Sequence, residues 1–372
     1  MIYLDNAATT FMFEDAVGVY QKYACQSFFN PSAGYQAAIR ISKDIEEAKR
    51  EILTKLGSPK GEIIFTGGAT ESNNLAIMGS KRNGKWEYVF SLGEHPSVYN
   101  TAKELEIQGH KVHFVGLTAD GQVDYEELKS VLNEKTRLIS VMHVSNETGA
   151  VNDIKKIIKI KNEYASQALV HVDGVQAFCK IPVNLSVLPV DFYTISAHKF
   201  HGPKGVGCLY VKNSCGLKNI VFGGGQEKGL RSGTENVPGI MAMAYVVGKT
   251  DVEANYQKAK KLKESAVNVF SADKNVSVFN SDSPYVLSVG FAGVNGETLM
   301  RALEQEGIIV GMGSACSARK AGNRILEGIG MSKDEVKTRI RISFNAHLEV
   351  DQVKSACEKI IEKYNEIWER VK

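Results

Sequence analysis

Cysteine pairing is absent from this sequence. Its cysteines (Cys25, Cys179, Cys208, Cys215, Cys316 and Cys357) form no Cys-x-x-Cys pair and stand at no zinc-type spacing from histidine, which leaves no metal-ligand pattern. A disulfide framework is not expected in a chain of 372 residues, long enough for a large core and more than one lobe. The thiols therefore indicate a reducing cytoplasm and serve mostly as small core residues, Cys208 in Gly-Cys-Leu-Tyr-Val among them. Long apolar runs are missing too, so no membrane span is expected. The start, Met-Ile-Tyr-Leu-Asp-Asn, has neither a basic segment nor an apolar stretch; it reads as a short strand rather than a signal peptide. Neither charge dominates: 45 basic against 42 acidic residues leave +3, which gives no footing for nucleic acid as the main partner. Both common nucleotide glycine motifs, G-x-x-x-x-G-K-[ST] and G-x-G-x-x-G, are absent. Internal repeats and low-complexity tracts are absent as well.

What is present is alternation. Strand-like runs occur at Ile63–Thr66, Tyr88–Ser91, Val112–Val115, Leu138–Met142, Leu169–Val172, Phe192–Ile195 and Cys208–Val211. Helical patterns lie between several of them, as at Ala37–Leu56 and Ile154–Ala165. That order predicts an α/β fold, a mostly parallel seven-stranded sheet flanked by helices, with ligands at the carboxyl ends of the strands. An apolar helix (Met241–Val247) leads to a charged helical stretch, Asp251–Ser271. Beyond it, strand-like Val286–Gly290, Ile308–Val310 and Arg339–Ser343, with helices at Glu297–Glu306 and from about Val350, predict a smaller α+β domain.

The most telling stretch is Ser196-Ala-His198-Lys199-Phe-His-Gly-Pro-Lys-Gly205, just after the strand at 192–195. A lysine where a strand opens into a loop, flanked by a serine and a histidine, suits a Schiff base to pyridoxal phosphate, with hydroxyl and imidazole on the phosphate. Thr66-Gly67-Gly68-Ala69-Thr70-Glu71 follows a strand and opens a helix, whose free N–H groups and positive dipole end bind phosphate; a plain helix cap fits the same residues. Asp173, at the end of the strand from Leu169, can pair with a pyridinium N–H and keep the ring an electron sink, and Gln176 is placed for the ring hydroxyl. A strand-end aspartate capping a helix is the common alternative. His95, after the strand ending at Ser91, can stack on the ring and shuttle protons, or be structural. Cys316 sits among small residues, Gly313-Ser314-Ala315 and Ser317-Ala318, with Arg319, Lys320 and Arg324 nearby to favour a thiolate. An ordinary loop cysteine fits equally. Arg339 and Arg341 share one face of a strand, where a guanidinium can bind a carboxylate with two parallel hydrogen bonds or simply face water.

Taken together, these blocks resemble the cysteine desulfurases of the class V aminotransferase fold (fold type I). The resemblance runs through nearly the whole chain: Tyr3-Leu-Asp-Asn-Ala-Ala-Thr-Thr10, Asn30-Pro-Ser32, Gly68-Ala-Thr-Glu-Ser-Asn73, Asn146-Glu147-Thr-Gly149, His171-Val-Asp-Gly-Val-Gln176, Arg231-Ser-Gly-Thr-Glu-Asn236, Gly313-Ser-Ala-Cys316 and Arg341-Ile-Ser343. The Gly-Ser-Ala-Cys form resembles the NifS/IscS-like group. The resemblance implies that Lys199 carries the cofactor and that His95 lies on the ring. It implies that Asp173 and Gln176 meet its nitrogen and oxygen, and that Thr70, Ser196 and His198 hold the phosphate. Thr234 would reach the phosphate of a second subunit, which implies a homodimer. Asn146 and Arg341 would bind the carboxylate of L-cysteine. Cys316 would take its sulfur, leaving alanine and a persulfide for a sulfur-acceptor protein in iron–sulfur cluster, tRNA or cofactor synthesis. The implied domains are a large cofactor-binding one at 12–247 and a small one made of 1–11 and 248–372, with the cysteine loop on the latter. A selenocysteine lyase or another enzyme of this fold is the near alternative, and a non-catalytic sulfur-carrier scaffold the distant one.

Several positions depart from the family pattern: Phe11 for a proline, Tyr35 for a histidine, Asn345 for a glycine, and Gly322-Asn-Arg-Ile-Leu for Pro-Ser-His-Val-Leu. They leave every expected catalytic group in place. The chain ends soon after its last helix, so a long C-terminal segment for docking an iron–sulfur scaffold is not expected.

Overall fold

The computed structural model of the chain describes residues 1–212, 215–312 and 323–372. Its centre is a seven-stranded sheet. The strands, labelled in chain order after a first short one, β1 (Ile2–Leu4), are β2 (Glu62–Thr66), β3 (Glu87–Ser91), β4 (Lys111–Val115), β5 (Thr136–Met142), β6 (Leu169–Asp173), β7 (Phe192–Ser196) and β8 (Gly207–Val211). Their spatial order is β2-β8-β7-β6-β5-β3-β4. β8 runs antiparallel to both β2 and β7, and the other pairings are parallel. All seven runs read from the sequence are strands here, mostly starting one or two residues earlier.

Alternation explains the layering. Ile63 and Phe65 of β2 point into one core, which the helices Gln36–Lys55, Ile154–Tyr164 and Val237–Lys249 cover. Ile64 between them points into the other, under the helices Ala69–Gly79 and Pro96–Ile107. Strands buried on both faces read as near-continuous apolar runs, which is why they were legible. The helix Val237–Lys249 begins earlier than the apolar stretch at 241–247. Asn236 accepts from the backbone of Gly239, and Pro238 sits in the first turn, so the cap and not the apolar pattern sets its start.

The remaining strands are β9 (Val276–Phe279), β10 (Val286–Phe291), β11 (Ile308–Val310) and β12 (Arg339–Ser343). β12, β10 and β9 form an antiparallel sheet, and β1 pairs in parallel with β11. The helices Val252–Phe270, Gly296–Gln305 and Val350–Val371 pack around a further core that includes Leu4, Leu262, Phe291, Leu303, Ile340, Ile342 and Tyr364. Leu4 thus joins the N-terminus to the C-terminal third. The sequence reading passed over β9, whose half-buried Val-Ser-Val-Phe is short and lies at a sheet edge. It also passed over the helix Glu14–Cys25, which has little apolar periodicity. Among the described residues no helix is long and apolar enough to cross a membrane.

The departures from the family pattern are absorbed by packing. Phe11 meets the His201 ring edge-on at 4.7 Å, and Phe13 stacks on it at 4.4 Å. Asn345 donates to Asn6 Oδ1 at 2.8 Å. Tyr35 lies edge-on to Phe29 at 6.0 Å, just before the helix Gln36–Lys55.

Candidate active site

The carboxyl ends of β2, β5, β6 and β7 open onto one cleft of about 1060 Å³. Thr70, His95, Asn146, Asp173, Gln176, Ser196, His198, Lys199 and Arg341 all line it. They come from segments spread over most of the chain. One expected residue is elsewhere, and another falls among residues the structure does not describe. Thr234 is exposed and does not line the cleft. Cys316, with Arg319 and Lys320, lies outside the described residues.

One end of the cleft suits an anion. After β2 the backbone turns through Gly68, at φ 151°, into the helix Ala69–Gly79, whose first turn no side chain caps. Such an end presents N–H groups and the positive end of the helix dipole. The approach is close: a Cβ on Gly207 would stand 3.0 Å from Gly68. Glu71 Oε2 accepts from Gly67 N at 2.6 Å, and Arg231 donates to Glu71 Oε1 at 2.7 Å, which holds the carboxylate to the side of the turn. Across from it stand Ser196, at the end of β7, and His198. His198 Nδ1 is 3.1 Å from Thr9 Oγ1. Burial and the amines of Lys199, Lys204 and Lys180 push its pKa down to about 4, so the ring is neutral at pH 7.

Lys199 ends a single helical turn that follows β7. Its Nζ donates to the carbonyls of Ala7 and Ala8 at 2.8 and 2.9 Å. Burial and the Arg341 guanidinium lower its pKa to about 8 against the pull of Asp173 and Asp5. About a tenth of this amine is therefore an uncharged nucleophile at pH 7, far more than an ordinary lysine offers.

Asp173 closes β6 and is buried. Its Oδ2 accepts from Asn73 Nδ2 at 2.9 Å and its Oδ1 from Val175 N at 3.0 Å. The next residue must be glycine, because a Cβ on Gly174 would fall 1.9 Å from the Tyr193 ring. Asn73 also donates to Ser97 Oγ at 2.8 Å, and Ser97 Oγ lies 2.8 Å from His95 Nδ1. A continuous hydrogen-bonded chain therefore joins the Asp173 carboxylate to the His95 imidazole. His95 Nδ1 also accepts from Ser97 N at 3.2 Å, so the neutral ring carries its proton on Nε2. The protein around this ring, open to the cleft, holds its pKa below the ordinary value despite Asp173 and Glu147, with Lys199 and Arg324 acting in the same direction. Gln176 donates from Nε2 to Ala7 O at 2.9 Å and accepts at Oε1 from Lys180 Nζ at 2.6 Å.

Another part of the cleft lining suits a carboxylate. Arg341 donates from Nη2 to Asp5 Oδ1 at 2.7 Å and from Nη1 to Asn146 O at 2.9 Å, with Glu147 Oε1 at 3.4 Å. Among the described residues its buried Nε has no hydrogen-bond partner, and neither has the buried Asn146 Oδ1. Buried polar atoms without partners mark a place where a ligand completes the bonding. Arg339 shares the face of Arg341 but not the cleft; it turns to Ser288 O at 3.1 Å and to Ser277 Oγ at 3.3 Å. Only one of the arginine pair is therefore available.

The sequence reading missed the groups that hold the site. Asn73 and Ser97 fell inside motifs but carried no assignment. Glu94 is fully buried, with Oε1 accepting from Met142 N at 2.6 Å; burial, then Asp173, raises its pKa well above the usual range. Nothing local signals these contacts, since each depends on a strand or helix distant in sequence.

Comparison with known proteins agrees with this geometry. The aminotransferase class-V family model matches residues 2–355. A cysteine desulfurase of Nostoc sp. is 34% identical over 98% of this chain and 93% of its own length. A solved NifS-like protein superposes with a TM-score of 0.91 at 32% identity, covering 97% of this chain and 98% of its own. A structure described as SspA in complex with cysteine matches with a TM-score of 0.82 at 31% identity, over 92% of this chain and 99% of its own. With the lysine, the aspartate and the arginine brought to one cleft across such full-length similarity, the chain belongs to the class-V aminotransferase family, among the cysteine desulfurases.

Proposed function

We propose that this cysteine desulfurase binds pyridoxal phosphate in the cleft through Lys199 and transfers the sulfur of L-cysteine to Cys316. The observation that carries the reading is the convergence of an activated amine, a buried carboxylate and an uncapped helix end on one space, with unpartnered donor and acceptor atoms of Arg341 and Asn146 in its lining. These residues fit the cofactor. Thr70, Ser196 and His198 would hold its phosphate, Asp173 its ring nitrogen, Gln176 its ring oxygen and Lys199 its aldehyde. When bound, the cofactor supplies an electron sink that stabilises negative charge at the substrate α-carbon.

The protein's own groups then divide the work. Arg341 and Asn146 orient the substrate carboxylate. Lys199 would be the base that takes the α-proton of the substrate. His95 holds a proton on Nε2 at the ring face, and Asn73 and Ser97 fix that tautomer. The Cys316 thiolate attacks the substrate sulfur. An S–S bond forms as C–S breaks, the bonding pair stays on carbon, and carbon takes up a proton to give alanine. The persulfide carries the oxidised sulfur to an acceptor protein, so no further oxidant is needed.

The exposure of Thr234, which does not line its own cleft, supports a role in the site of a second copy. Leu4 within the C-terminal core supports a small domain made of 1–11 and 248–372 and a large one of 12–247. Free thiols throughout the described residues support a reducing, cytoplasmic setting.

The test is turnover with L-cysteine. With a thiol reductant, equal amounts of alanine and sulfide are expected; without one, the peptide containing Cys316 should gain the mass of one sulfur atom. Alanine formation with the sulfur found on no cysteine would defeat the reading. A pH prediction arises from Lys199. Covalent cofactor uptake by the cofactor-free protein, followed by the visible band, should quicken about tenfold per pH unit while the amine is mostly protonated. It should level off above about pH 8, where the amine is neutral. A profile still rising through pH 10 would mean an amine at its ordinary pKa.

A further inference from the structure

The helix Arg324–Gly328 begins where the described chain resumes after residue 312, and its first residues depart from the family pattern. The two side chains there contact different segments that carry cleft residues. Arg324 donates from Nη1 to Leu92 O at 2.7 Å and from Nη2 to Glu94 O at 2.6 Å. Its guanidinium also lies 3.7 Å from the centre of the Tyr99 ring. Tyr99 N in turn donates to His95 O at 3.0 Å. The guanidinium thus grips the chain on both sides of His95, and the grip needs a planar fork, with two donors in plane and a face for the ring. Arg324 therefore acts on the histidine turn.

Asn323 is buried and contacts a different segment. Its Oδ1 caps the helix by accepting from Ile325 and Leu326 N. Its Nδ2 donates to Glu147 Oε2 at 3.0 Å. Glu147 Oε1 accepts from Asn146 Nδ2 at 2.8 Å and faces Arg341 Nη1. A buried carboxylate that orients both carboxylate-binding residues is therefore itself held by Asn323.

We propose that Asn323 and Arg324 are positioning residues for the reaction, Arg324 setting the His95 turn over the cleft and Asn323 setting the Glu147 carboxylate that orients Asn146 and Arg341. The proposal rests on the roles given above to His95 and Arg341. It separates two kinetic effects. Small displacements of a proton-transfer group lower turnover, whereas disorder at the carboxylate site weakens binding.

Arg324→Met keeps the stem against Tyr99 but removes the donors, and is expected to lower kcat for L-cysteine about ten- to a hundredfold with KM nearly unchanged. Arg324→Lys restores a cation without the fork and should recover little. Asn323→Asp keeps the capping oxygen and sets an acceptor against Glu147; KM should rise about tenfold while kcat changes little. A second readout uses the cofactor-free protein. The His95 imidazole, observed by NMR, should titrate higher in Arg324→Met, because a cation that opposes its protonation is gone while Asp173 and Glu147, which favour it, remain. Loss of kcat with KM unchanged in Asn323→Asp, lower melting temperatures in both variants and an unmoved His95 resonance in Arg324→Met would reduce both residues to fold support and overturn the proposal. So would kinetics unchanged from the parent. His95→Ala and Arg341→Ala are the separate controls: unimpaired turnover in either would remove the underlying role, whereas impaired controls beside normal Asn323 and Arg324 variants would defeat this inference alone.

Discussion

Replacement of Lys199 by alanine is expected to leave a colourless, inactive protein, with kcat for L-cysteine down by at least about a thousandfold. The visible band of the parent should be missing even at saturating cofactor. The physical basis is the placement of one amine. Lys199 leaves the sheet at the end of β7, is held by two carbonyls of the N-terminal segment, and is brought to about pKa 8 by burial and by Arg341. Lys204 also lines the cleft but is exposed. Lys180 is buried behind Gln176, to which it donates. Borohydride reduction of the parent followed by peptide mass analysis should therefore place the cofactor on Lys199 alone. A retained band in the alanine variant, with the label moved to Lys204 or Lys180, would overturn the assignment and the function built on it.

Replacement of Cys316 by alanine is expected to give the opposite combination, full colour with sulfur transfer lowered by about a thousandfold or more. The structure strengthens this by elimination. Cys179 and Cys357 are buried thiols with pKa values pushed up to about 12 by burial, and Cys208 is pushed higher still. Cys215 is held at about 12 by burial and by Asp191. Thiols in that state are not nucleophiles near neutral pH. Cys25 is exposed, but it ends the helix Glu14–Cys25 and does not line the cleft. The measurement is sulfide and alanine release alongside the absorption spectrum. Normal sulfide release from the alanine variant would show that sulfur leaves by another route, and loss of colour would show that Cys316 supports the cofactor instead.

The readable part of the site consisted of residues whose chemistry is announced by their neighbours. Lys199 stands in a motif that follows a strand, Asp173 closes an apolar run, and Thr70 opens a helix after paired glycines. Strand ends and helix starts can be located from local patterning, and in a parallel sheet they converge on one edge. The paired arginines show the limit of that reasoning. Alternation correctly puts Arg339 and Arg341 on one face, but each pairs with whatever the packed neighbours offer. Arg339 meets two serines of adjacent strands, and Arg341 meets Asp5 and Glu147 at the cleft.

The sequence alone determined the architecture, the ordered motifs and hence the chemistry, because burial on both faces of a sheet and the sharp turns around a cofactor leave period and glycine signals within a few residues. Only the tertiary structure decided which polar atoms meet. The Asp173–Asn73–Ser97–His95 chain, the hold of Glu147 on Arg341, and the grip of Asn323 and Arg324 on both span contacts between segments far apart in the chain. Hydrogen bonds are directional and short, so their partners depend on backbone positions to a fraction of an ångström, which no local pattern of residues encodes.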